Sequence, residues 1–157
     1  MSKLGTRRND REPGAILFAG LSGAVTPGAG ANIDFDTVIT ESDDASELSL
    51  DTVTNVGRIT VSGGNVYELD SQVDPSWISG VLPVTIQWRD ITAGAYVGKQ
   101  GIYYNQGATG GTETQQCNAK AVVAPNSSNA YELWVVTTGA VMVQEAGTNA
   151  WITVRKL

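Results

Sequence analysis

The sequence predicts an all-β protein: a two-sheet antiparallel sandwich with a short extended N-terminal arm. Three observations predict it. Short segments alternate apolar and polar residues with the period of two that a half-buried strand requires. Breaks rich in Gly, Pro, Asn and Ser separate them at roughly the 8–12-residue spacing of a sandwich. No segment sustains a helical period, and the first fourteen residues carry no hydrophobic period at all.

Residues 1–14 end in Pro-Gly and read as an arm that becomes ordered on a partner. Residues 15–22 are the first candidate strand, with Ile16, Phe18 and Leu21 expected inward, and GAVTPGAG at 23–30 is a loop by composition. NIDFDTVIT at 32–40 alternates as one strand, with Ile33, Phe35 and then Val38 on the apolar side. ESDDASE at 41–47 is an acidic turn, and 47–53 returns as a short strand.

The stretch GRITVSGGNVYELDSQVD at 57–74 is the expected centre of the domain. Ile59 and Val61 oppose Arg58 and Thr60, Tyr67 and Leu69 oppose Val66, Glu68 and Asp70, and Gly-Gly between them suits a tight turn. A hairpin is expected there, followed by a connection to Pro83. VTIQWR at 84–89 places Val84, Ile86 and Trp88 on one face, and 95–104 continues the pattern with Gly98 and Gly101 as bulge positions. NQGATGG is a loop tip, 114–123 is a strand holding Cys117, and PNSSN at 125–129 is a turn. Segments 131–137, 140–145 and 151–157 close a set of roughly ten strands.

At 157 residues the chain is long enough for one core without metals or disulfides. The single Cys117 cannot form an intrachain disulfide and reads as a small buried hydrophobe. With no His and one Cys, ordinary zinc, copper and haem sites cannot be assembled, and no cofactor is expected. Serines have no His to act as base, and Lys99 and Lys120 have no S-x-x-K partner. The acid pairs Asp70/Asp74 and Asp34/Asp36 are ordinary for outward strand faces, so no enzyme is expected. The oxygens of Glu41, Ser42, Asp43, Asp44, Asp34 and Asp36 are the right kind for calcium but lack the spacing of a binding loop, and a solvated loop is the simpler reading. Asn126-Ser127-Ser128 fits a glycosylation triplet, which matters only in a eukaryotic secretory setting.

The net charge of −6 argues against nucleic-acid binding by the body, and no run is apolar and long enough to span a membrane. Residues 15–25 are the best apolar stretch. Asn9, Asp10, Glu12 and Pro13 precede it, which does not suit a secretory leader, so a first strand is expected instead. The charge is polarised. Lys3, Arg7, Arg8 and Arg11 against Asp10 and Glu12 give residues 1–14 a net +2 and leave −8 on residues 15–157. Such an arm suits an acidic surface.

The order ILFAGLS, a Pro-Gly loop, IDFDTVIT, GRITVSGGNVYELDSQV, YELWVV with AVMVQE, and WITVRKL resembles the jelly roll of the tumour-necrosis-factor and complement globular-head superfamily. Ile59 stands where that superfamily usually has an aromatic, and Asn65 where it usually has Gly. Jelly rolls of this kind are also found in bacteriophage capsid decoration proteins. The resemblance covers residues 15–157, beyond the arm at 1–14, and implies a jelly-roll domain there and a homotrimer. Trp77, Trp88, Tyr103, Tyr104 and Trp134 are then candidates for a trimer or ligand face, each against the alternative of intrachain core. With no catalytic group, the function expected is that of a virion structural protein. It would be a trimeric decoration (cement) protein on the outer surface of a bacteriophage head, assembled in the host cytoplasm, with Lys3, Arg7, Arg8 and Arg11 gripping the major capsid protein. The alternative is a trimeric carbohydrate- or receptor-binding head of a fibre or adhesin.

Overall fold

The computed structural model describes residues 14–41, 46–73, 75–79, 83–103, 117–137, 141–144 and 147–157; for 75–79, 141–144 and 147–149 it describes the backbone alone. The strands are β1 (Ile16–Leu21), β2 (Ala31–Asn32), β3 (Thr37–Glu41), β4 (Leu48–Asp51), β5 (Arg58–Val61), β6 (Tyr67–Gln72), β7 (Pro75–Ser79), β8 (Val84–Asp90), β9 (Ala95–Tyr103), β10 (Lys120–Val123), β11 (Asn129–Thr137), β12 (Val141–Gln144) and β13 (Gly147–Lys156). Ten of them follow one hydrogen-bonded path, β3-β1-β13-β6-β10-β9-β8-β11-β5-β4, with β2 attached to β11. The path folds at the β10–β9 step, where only Lys120 and Lys99 pair. It thereby makes two five-stranded layers over one shared core, the jelly-roll sandwich expected. Strands β7 and β12 form a separate two-stranded sheet, so part of the expected connection to Pro83 is a strand.

Glycine makes the fold at β10–β9 possible. Gly98 has φ +72°, and a Cβ there would run into the carbonyl oxygen of Lys120 and into Ala121. A Cβ on Gly101 would lie 2.6 Å from the carbonyl oxygen of Asn118. Opposite them, three residues of β8 (Ile86 to Trp88) stand against five of β9 (Gly101 to Val97), which is the irregularity expected of this segment.

The expected hairpin at 57–74 does not form. β5 pairs with β4 and β11 in the second layer, whereas β6 pairs with β13 and β10 in the first. Ser-Gly-Gly carries the chain from one layer to the other through a turn at Gly63 and Gly64, and Gly64 N–H donates to the carbonyl of Pro125. The period of two is identical in both arrangements. Ile59 and Val61 bury their side chains from one layer, Tyr67 and Leu69 from the other.

The segment at 32–40 divides for a related reason. Its start lies on β11, where Asn32 pairs with Trp134; its end, β3, pairs with β1. Between them Ile33 and Phe35 are fully buried as the chain crosses the end of the core. The crossing shifts the phase, so Val38 emerges exposed instead of buried. In β1 the orientation is opposite to that expected for two residues: Leu17 and Ala19 are buried with Leu21, while Ile16 is 40% exposed and Phe18 half-buried. Apolar residues on both sides of a strand leave its orientation open to the packing of its neighbours.

Candidate interaction surfaces

The outer face of the first layer carries an apolar corner. Phe18 on β1 meets Trp151 on β13 edge to face, with ring centroids 6.0 Å apart. Ile16 stands two residues away on the same strand; on the neighbouring edge strand β3 Val38 and Ile39 are also exposed, Val38 in register with the buried Ala19. Towards β6 and β10 the face becomes ionic. Lys120 Nζ lies 3.1 Å from Glu68 and 3.6 Å from Asp70, and Arg155 Nε lies 3.5 Å from Glu68. These pairs are exposed and contribute little stability. Gly14, where the predicted arm joins the body, sits against Lys156 at the end of β13, an inner strand of this layer, and Lys156 N–H donates to the carbonyl of Ala15 at 2.8 Å.

The outer face of the second layer carries a polar–aromatic ladder across four strands. Arg58 on β5 donates from Nε to Glu132 Oε1 at 2.8 Å, and Trp134 donates from Nε1 to Glu132 Oε2 at 2.8 Å. Glu132 is only 4% exposed, although it lies on the solvent side of its sheet. Arg89 on β8 pairs with Glu132 in register but makes no ion pair among the described residues; its guanidinium lies over the Trp134 ring at 4.1 Å and over Tyr96 of β9 at 5.8 Å. Beside it Gln100 donates to Gln87, and Gln87 donates to the carbonyl of Gly98.

The candidate residues named from sequence do not form one face. Trp88 is fully buried and donates from Nε1 to the carbonyl of Ala119 at 3.2 Å, so it belongs to the core, not to an outer face. Tyr103 is buried as well, opposite Val84. Trp134 faces outward on the ladder. The backbone of Trp77 pairs with Val143 in the β7–β12 sheet. Tyr104, Lys3, Arg7, Arg8 and Arg11 lie outside the described residues, as do Ser42, Asp43 and Asp44 of the acidic turn. Asp36 is committed to Ser22, accepting from its backbone N–H and its hydroxyl, and Asp34 accepts from Asn32. Among the described residues no group of three or more His, Cys, Asp or Glu is placed to hold a metal ion.

Sequence reasoning missed Arg58, Arg89 and Glu132. The signal was strand phase. In VTIQWRD, Trp88 shares the apolar phase, while Gln87 and Arg89 share the other. In YELWVV, Glu132 and Trp134 fall together in the phase opposite to Leu133 and Val135. An aromatic in the polar phase of a strand is the one that faces solvent.

No protein-family model matches the chain, and no curated protein matches it. Solved structures do match in fold. The globular domain of zebrafish complement 1qA superposes with TM-score 0.60 at 10% identity, over 91% of this chain and 95% of that one. Murine APRIL gives 0.66 at 10% identity, over 92% and 99%. The Eiger TNF of S. frugiperda gives 0.59 at 14% identity, over 92% and 93%. The fold is therefore a jelly roll of the tumour-necrosis-factor and complement globular-head type.

Proposed function

We propose that the protein is a homotrimeric, non-enzymatic structural head that decorates a virion shell. One observation carries the reading: the outward-facing Ile16 and Phe18 of β1, with Trp151 beside them on β13, follow directly along the chain from the root of the arm at Gly14 and Ala15. Packing three bodies through this face covers apolar surface and sets three arms side by side. An arm of net +2 on a body of −8 is attracted to an acidic shell, and three tethered arms turn weak individual contacts into firm attachment. The similarity to complement and tumour-necrosis-factor domains supports the fold on which this packing is drawn. Residues 1–14 are the arm and 15–157 the body in this reading, with the major capsid protein as partner and the capsid exterior as location.

The test is the solution mass of the full chain, of a chain lacking residues 1–14, and of Phe18→Glu, followed by co-sedimentation with empty capsids. Trimers for the first two, a monomer for Phe18→Glu and shell binding by the full chain alone are expected. A monomeric full chain overturns the trimer, and an indifferent trimer overturns shell decoration. The second reading, a saccharide- or receptor-binding head, is favoured by the exposed Tyr96–Arg89–Trp134 ladder, since arginine and aromatic rings on a sheet face serve ligand recognition more readily than solubility.

A further inference from the structure

We infer that the ladder on the outer face of the second layer is a binding site for a carboxylated saccharide, with Arg89 as the carboxylate receptor and Tyr96 as the stacking platform. The inference develops the saccharide-head reading and depends on neither the trimer nor shell attachment.

Arg89 is a cation oriented without a counter-ion. Trp134 on one strand and Tyr96 on another hold its guanidinium, and no ion pair among the described residues includes it. Its Nε is buried and has no hydrogen-bond acceptor among the described residues. The adjacent carboxylate of Glu132 is turned to other donors, Arg58 at one oxygen and Trp134 at the other, and makes no hydrogen bond or ion pair to Arg89. The cluster therefore holds two arginines against one glutamate, a local excess of positive charge on an acidic body. A guanidinium fixed in its plane offers parallel N–H donors that match a carboxylate, and its orientation has already been set by the rings.

The surroundings select the rest of the ligand. Tyr96 is 41% exposed, which leaves ring surface beyond its contact with Arg89 for a flat apolar face such as that of a pyranose. Gln87 and Gln100 line the same face with amides bonded to each other and to Gly98, a rigid set of donors and acceptors for hydroxyls. An acidic peptide would satisfy the arginine, but an Asp or Glu side chain brings no ring face to Tyr96 and no hydroxyls to the amide edge.

The test is titration of the full chain with a trimeric galacturonic acid oligomer, followed by NMR at the Trp134 indole N–H and by calorimetry. Parallel titrations use the oligomer's methyl ester, a Glu-rich peptide and inorganic phosphate. Binding of the acid oligomer with a shift at Trp134 is expected, weakened at least about tenfold by esterification and by Arg89→Lys, which keeps charge but loses the fork. Tyr96→Ala should weaken it too, while Arg89→Lys and Tyr96→Ala keep the native dispersion of core amide signals. Equal binding of acid and ester, unaffected by Arg89→Lys, overturns the carboxylate receptor but leaves saccharide recognition standing. Binding of the peptide or phosphate in preference to the oligomer overturns the ligand class. No binding of either oligomer at millimolar concentration overturns both this inference and the saccharide-head reading.

Discussion

Trp88 in β8 reaches across the sandwich and donates its indole N–H to the backbone carbonyl of Ala119, 3.2 Å away beside β10. The same carbonyl accepts from the backbone N–H and the hydroxyl of Ser71 on β6, and Ala119 N–H donates back to that hydroxyl. A large apolar group and a buried polar knot thus meet at one point, joining the two layers near the place where the sheet folds over.

Replacing Trp88 by Phe keeps an aromatic ring but removes the donor and some volume. The expected loss is about 1–3 kcal/mol, and Trp88→Ala should cost about 3–5 kcal/mol through the cavity it leaves. Chemical denaturation checks this. The midpoint should fall with an unchanged slope, since the unfolded surface is nearly the same.

Gly98→Ala should cost about 2–5 kcal/mol, combining a left-handed backbone conformation with collision against Lys120 and Ala121. Gly94 supplies the control. It has φ +66° but open space around it, so Gly94→Ala carries only the conformational part, about 1–2 kcal/mol. Equal losses at the two sites would show that the close approach of β9 and β10 is unimportant.

These two sites also mark what was legible in the sequence. Strand phase identified the inward residues of β5, β6 and β8, and the Gly98 irregularity was visible because a glycine interrupted an otherwise alternating segment. Which layer each strand joins was not legible. A period of two records which side of a strand is buried, and β5 and β6 bury theirs equally well as neighbours or as opposite walls. Residues 15–21 are apolar on both sides of the strand, so their phase does not say whether Ile16 and Phe18 or Leu17 and Ala19 face the core. In the fold Ala15, Leu17, Ala19 and Leu21 fill the interior, and Ile16 and Phe18 go to the outer face. The ladder was hidden for another reason: Arg58, Arg89 and Glu132 come from segments up to 74 residues apart and meet only through strand pairing.

Cys117 is buried, and burial pushes its thiol up to about 12, against a weaker opposing hydrogen bond from the Ile86 backbone. The native protein at pH 8 should resist alkylation by iodoacetamide, and reaction should follow the unfolding transition in denaturant. Modification at a free-thiol rate in native buffer would contradict this burial.

Asp51 at the end of β4 accepts backbone N–H bonds from Val53, Thr54 and Asn55, which hold its carboxyl at about 2 instead of 3.8. A carboxylate depressed in the folded state contributes stability above its unfolded value and loses it as pH falls through the folded one. The β4–β5 loop should therefore loosen between about pH 4 and pH 2. The amide signals of Val53, Thr54 and Asn55 should titrate together with a midpoint near 2, and Asp51→Asn should abolish that shared step. A midpoint near the ordinary value would mean that the three bonds do not persist in solution.

Arg58 and Glu132 should respond unequally to removal. Arg58→Ala leaves a nearly buried carboxylate with only the Trp134 donor, and the expected cost is about 2–4 kcal/mol at neutral pH. Glu132→Ala leaves Arg58, whose side chain is 31% exposed and can turn its charge to water, so the expected cost is smaller, about 1–2 kcal/mol. The double variant should resemble Glu132→Ala, because the harm in Arg58→Ala comes from the acid left behind. A double-mutant cycle by denaturant unfolding reads the difference. Additive losses would mean that the two side chains act separately, and the ladder would then have no charged anchor beneath Trp134.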